Sequence, residues 1–144
     1  MSRIVSFRGL LANGAQERIS LQTNNGLTGY RIIKISLIGE DLTGRTQESV
    51  FKINSIIQSS VTGTVDFSDQ TLLGVGYYQQ NTANTYFGGT TIVFDNIKFN
   101  QDIYLTHTEG ASTYPVNYYI ELEQMDLNLD EATVATLKNI RNND

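Results

Sequence analysis

Chemistry needs particular side chains at particular spacings, and this 144-residue sequence holds few candidates. The lone histidine, His107, continues the alternation Ile103, Leu105, His107 and so belongs to the more apolar face of a strand. A serine triad would add a nucleophilic serine and a carboxylate. No G-x-S-x-G turn exists to present that serine. His107 therefore reads as a partly buried strand residue with one hydrogen-bond partner. His107→Ala would then cost about 1–2 kcal/mol at most.

Carboxylates give three further candidates. Glu121 and Glu123 are neighbours on one strand face, roughly 7 Å apart, a separation that glycosidase pairs also use. On a polar strand face such a pair is ordinarily solvated surface or an interface rim. Asp66 and Asp69 in "DFSDQT" suit Asx-type turns, in which the carboxylate accepts from the backbone two residues on. Asp126, Asn128 and Asp130 match the first three ligand positions of an EF-hand loop. The match then fails, with Glu131 where the sharp turn needs glycine and Leu137 where a bidentate glutamate is required. A strand end followed by a helix cap accounts for the same residues. Gly74-x-Gly76 lacks the third glycine and following helix of a dinucleotide loop. There is no Walker A or H-E-x-x-H pattern. No catalytic residue, cofactor or metal is expected.

Composition points the same way. Absence of cysteine excludes disulfides, thiol catalysis and cysteine-held metals. Ten basic residues against 15 acidic ones give a net charge of −5. The basic residues are scattered, so no phosphate-neutralising surface and no nucleic-acid partner is expected. No segment approaches the ~18–20 apolar residues of a membrane helix. The opening residues contain no signal-peptide core, and synthesis in the cytoplasm is expected.

The elements that would position these residues are mostly strands. "RIVSF" and "ERISL" flank the turn signal Asn13-Gly14, and Asn25-Gly26 precedes "YRIIKISLIG". In the latter, Ile33, Ile35 and Leu37 are expected on one face, with Tyr30, Ile32, Lys34 and Ser36 on the other. "ESVFKIN" puts Phe51 and Ile53 on one face. A short strand is expected at Val65–Phe67, then an apolar run over 71–78, a loop over 81–90, and strands "TTIVFDN" and "IYLTHT". The last strand, "NYYIELEQMDL", separates Tyr118, Ile120 and Leu122 from Tyr119, Glu121 and Glu123. Glycines 74, 76, 88 and 89 suit bulges and tight loops. A helix is expected over about 130–141. Asp130 would be its N-cap, Leu129 and Val134 its hydrophobic staple, and Val134, Leu137 and Lys138 or Ile140 a stripe at helical spacing. About eight strands and one terminal helix in one domain, residues 1–144, predict an all-β sandwich of jelly-roll type, with a barrel as second choice.

The remaining feature is aromatic. Eight Tyr and six Phe are many for one small sandwich to bury. Tyr77, Tyr78, Tyr86 and Phe87 cluster at one loop, and Tyr114, Tyr118 and Tyr119 at the last turn. Tyr suits interfaces and stacks on sugars. The candidate interface comprises Tyr77, Tyr78, Tyr86, Phe87, Tyr114 and Tyr119.

Three segments, "MSRIVSFRGLLANGAQERISL", "VDFSDQTLL" and "FDNIKFNQDIYLTHTEG…NYYIELEQMDLNLDEATVATLKNIRN", resemble a group of small proteins of marine tailed bacteriophages. The likeness runs over nearly the whole chain. It implies a virion structural protein encoded among head genes. By analogy of size and fold, it implies a capsid decoration or cement protein that binds the major capsid protein on the capsid surface as a homotrimer. A tail-associated carbohydrate-binding module stacking Tyr77, Tyr78 and Tyr86 on glycans is the alternative.

Overall fold

A computed structural model of the chain describes residues 2–81, 86–94 and 96–142, without the side chains at 2, 86, 87 and 142. Eight strands precede one helix: β1 Ser2–Leu11, β2 Gln16–Ile19, β3 Thr28–Gly39, β4 Thr46–Asn54, β5 Leu72–Asn81, β6 Tyr86–Val93, β7 Ile103–Glu109, β8 Val116–Asp126 and α1 Leu129–Asn142. They form two antiparallel sheets, ordered β1-β8-β3 and β2-β7-β4-β5-β6. The order 1-8-3 against 2-7-4-5 is that of a jelly roll, two nested Greek keys, with β6 added as the hairpin partner of β5. Among the described residues no helix is long and apolar enough to cross a membrane.

Alternation builds the core. Tyr118, Ile120 and Leu122 of β8 face Phe51 and Ile53 of β4 and Ile103 and Leu105 of β7, and all seven are buried. Phe51 and Tyr118 stack across the sheets with ring centroids 5.4 Å apart. The expected alternation of β3 breaks at a bulge. Ile32 opposes Leu122 but Lys34 opposes Glu121, so Ile33 is an extra residue. Ile32 and Ile35 therefore share the inner face, which uniform alternation would forbid.

Other expectations need correction. Val65 and Phe67 are not on a strand. They belong to the long β4–β5 connection and stay exposed, with Phe67 edge-on to Phe94 at 5.3 Å. The loop expected over 81–90 ends early, because β6 already starts at Tyr86 and pairs with β5. Of the β5 glycines, Gly74 borders a register shift, where Ile53 opposes Gly74 and Asn54 opposes Leu72, as a bulge requires, whereas Gly76 pairs regularly with Phe51 and Thr91. A Cβ on Gly74 would lie 2.8 Å from Ile35 Cδ1, and one on Gly76 would lie 2.7 Å from Leu37 Cδ1. These glycines let β3 side chains reach the backbone of the opposite sheet. Gly76→Val is expected to cost about 1–3 kcal/mol through overpacking, read as a lower midpoint in urea with an unchanged m-value.

The helix starts one residue before its expected range. Asn128, not Asp130, is the cap: its Oδ1 accepts from Glu131 N at 2.8 Å, and Glu131 Oε1 accepts from Asn128 N at 3.3 Å, a capping box. Leu129 and Val134 form no buried staple, being 73% and 66% exposed. The helix is held instead through polar contacts. Buried Asn100 donates to Gly26 O at 3.0 Å and Thr136 Oγ1 at 2.9 Å, Asn139 donates to Ser55 O at 3.1 Å, and Lys98 pairs with Glu131 at 3.0 Å.

Candidate interaction surface

His107 lies on the inner face of β7 and is fully buried. Its Nδ1 is 3.0 Å from Leu11 O. A carbonyl only accepts, so Nδ1 carries the proton and Nε2 presents a lone pair. Nε2 lies 3.9 Å from Glu109 Oε1 and has no hydrogen-bond partner. Burial pulls the His107 pKa below the ordinary histidine value, against the opposing pull of the Leu11 carbonyl and the Glu109 charge.

Serine, histidine and carboxylate do meet here, in an arrangement made for structure. Glu109 accepts from Glu48 N and Ser49 Oγ at 2.8 Å each, Ser112 Oγ at 3.0 Å and Ala111 N at 3.2 Å. Ser49 gives its proton to the carboxylate and accepts from Gln47 Nε2 at 2.8 Å, while Gln47 also donates to Pro115 O at 2.9 Å. Gln80 continues the cluster, donating to Asp41 O at 3.0 Å and accepting from the Tyr78 hydroxyl at 3.0 Å. Gln47, Ser49, Gln80 and His107 have no exposed surface, so substrate cannot reach them. The cluster ties the loops around residues 41, 111 and 115 to one end of the sandwich and supplies their buried backbone groups with partners. Sequence reasoning missed it. The available signal was polar residues at inward positions: Gln47 and Ser49 continue the face of Phe51 and Ile53, and Glu109 continues that of His107.

The other acidic candidates are accounted for locally. Asp66 Oδ1 accepts from Ser68 N and Oγ at 2.9 and 2.6 Å, and Asp69 Oδ1 from Thr71 N and Oγ1 at 2.9 and 2.8 Å, two successive Asx turns. Glu123 pairs with Arg31 at 2.6 Å, and Glu121 accepts from the Tyr119 hydroxyl at 2.6 Å. Asp126 ends β8, apart from the cap at Asn128. Among the described residues no group of three or more metal-ligating side chains gathers.

The four aromatic candidates whose side chains are described, Tyr77, Tyr78, Tyr114 and Tyr119, do not converge. Tyr78 points inward and is buried, so it cannot anchor a partner or stack on a sugar. Tyr77, its neighbour on the opposite face of β5, is 38% exposed. Tyr86 and Phe87 pair with Asn81 and Gln80 through their backbones, and their side chains lie outside the described residues. Tyr114 is half-buried beneath the Arg45 guanidinium, 4.0 Å from the ring centroid. Tyr119 is half-buried at the centre of the outer face of the three-stranded sheet, flanked by Arg8 and Ser36.

That outer face is built on three paired strands, β1, β8 and β3. Tyr119 and Asn117 stand in its middle row, with Leu10 on β1 and Ile38 on β3 bracketing Asn117. Leu10 and Ile38 are about half exposed, at 48% and 49%. With Arg8 and Ser36 they line a shallow depression of about 740 Å³. Two apolar side chains thus lie beside an amphipathic ring, with Arg8 at the rim. No known protein-family model matches the chain, and no curated protein sequence matches it either.

Proposed function

We propose that the chain is a virion structural protein, a capsid decoration or cement protein that binds the major capsid protein. The observation that carries this reading is the outer face of β1-β8-β3, where Tyr119, Leu10 and Ile38 form an amphipathic depression on a rigid sheet. The phage resemblance supplies the partner. The mechanism is binding alone: neighbouring capsomers meet the sheet face, and repeated copies multiply a modest contact through avidity. Three copies around local threefold points would suit an icosahedral shell, with the Tyr119–Glu121 part of the face in the contact between copies and the Leu10–Ile38 end left to the capsid. Interior Tyr78 counts against the glycan-stacking alternative.

The test is binding to capsids assembled from the major capsid protein, with copy number read by quantitative gel and cryo-EM. Many ordered copies per shell are expected, with binding lost in a Leu10→Asp/Ile38→Asp variant that keeps its melting temperature. Mass in solution should be near three times 16.1 kDa, and Tyr119→Ser should lower it. A few copies per virion, located at the tail, would overturn the reading.

A further inference from the structure

Helix α1 is inverted with respect to an ordinary surface helix. Its buried side carries small and polar residues: Ala132 is 4% exposed, and Thr136 and Asn139 are hydrogen-bonded to Asn100 and Ser55. Its outward side carries Leu129, Val134, Leu137 and Ile140, exposed by 73%, 66%, 59% and 54%. At about 100° per residue these four fall within an arc of about 140°, so they form one stripe. Four large side chains, each more than half exposed, make a patch of the kind that marks an interaction site on a monomer.

The order of residues along the stripe identifies its occupant. A twofold axis crossing the helix near Ala135 sets Leu129 beside the partner's Ile140 and Val134 beside the partner's Leu137. The same axis sets Asp130, in the acidic first turn, beside the partner's Arg141, in the basic last turn. Asp130 and Arg141 lie within the arc of the apolar stripe and are both exposed. Apolar and charged positions thus match at once under one operation, and the two helix dipoles run antiparallel. A parallel or threefold arrangement would set Asp130 against Asp130 of the next copy.

We propose that α1 is a self-association element that pairs antiparallel with α1 of a second copy of this chain. One helix per copy makes a contact at the small end of specific interfaces, below about 1,200 Å², so micromolar association is expected. This contact is separate from the sheet face assigned to the capsid. If both form, twofold pairs would join trimers.

Sedimentation equilibrium from about 1 to about 100 µM tests it on the full chain. Leu137→Asp should halve the particle, from two copies to one, or from six to three if the threefold contact also forms. Ile140→Glu should do the same and serves if the first variant folds poorly. Unchanged melting temperature and far-ultraviolet circular dichroism show that folding is intact. Asp130→Arg and Arg141→Asp should each weaken association several-fold, and the two together should restore it. An unaltered mass in both apolar variants would overturn the proposal. So would a charge-reversed double variant no stronger than the singles, or a wild-type protein that stays monomeric throughout.

Discussion

Replacing Glu109 with alanine is expected to lower the unfolding free energy by about 3–5 kcal/mol, the range found when one partner of a buried charged network is removed. Four donors converge on this side chain, which has no exposed surface of its own. Without it, Glu48 N, Ser49 Oγ, Ala111 N and Ser112 Oγ lose their acceptor. Each buried donor left unmade costs about 1–3 kcal/mol. Water entering the hole would recover part of this, which keeps the total below the sum. Chemical denaturation monitored by tyrosine fluorescence reads the effect. Glu109→Gln keeps the shape and two lone pairs and should recover part of the loss. A change below about 1 kcal/mol for the alanine variant would mean the network does not carry the loops at this end.

His107→Ala is expected to cost about 2–4 kcal/mol at pH 7.5. It leaves a cavity in the sealed inner face and strands the Leu11 carbonyl. The penalty should shrink on acidification. Burial lowers the folded-state pKa of His107 below its unfolded value near 6.5. The unfolded chain therefore takes up the proton first as pH falls. The histidine's contribution is fully present above the unfolded pKa and is lost as pH drops through it toward the folded value. Wild type should lose more stability than His107→Ala between pH 7.5 and 5.5. Parallel loss in the two proteins would show that His107 does not titrate differently on folding.

This histidine also shows how far the sequence could be read. Its strand, its inward face and its single partner follow from Ile103-x-Leu105-x-His107 and the missing serine elbow. Its depth does not, because depth depends on Leu11 arriving from a segment 96 residues away. Full burial raises the expected cost on substitution from about 1–2 to about 2–4 kcal/mol. The sandwich class and the faces of β4 and β8 were legible because period-two alternation is local. The bulge at Ile33 was not, since only pairing with β8 reveals that one residue is extra. The same limit explains Gly74 and Gly76, whose role is defined by Ile35 and Leu37 on the opposite sheet. On α1 the helical spacing was plain, but which side would face the body was decided by Asn100 and Lys98. The aromatic surplus pointed to an interaction surface. It could not say that Tyr78 would turn inward while Tyr77, one residue away, would not.

The position of β8 between β1 and β3 bears on how the molecule is made. The middle strand of the smaller sheet is the last strand to be synthesised, and both of its neighbours come from the first 39 residues. Neither neighbour can complete its ladder before β8 has been made. Pairing partners this far apart in sequence also carry a large loop-closure cost before any contact is gained, which slows folding. Until β8 arrives, the apolar faces of β1 and β3 have no middle strand to join them, and their edges can pair with other nascent chains. Assembly of this sandwich thus waits for the synthesis of β8, and a ribosome that stops before residue 116 releases a chain with two long strands and nothing to place between them.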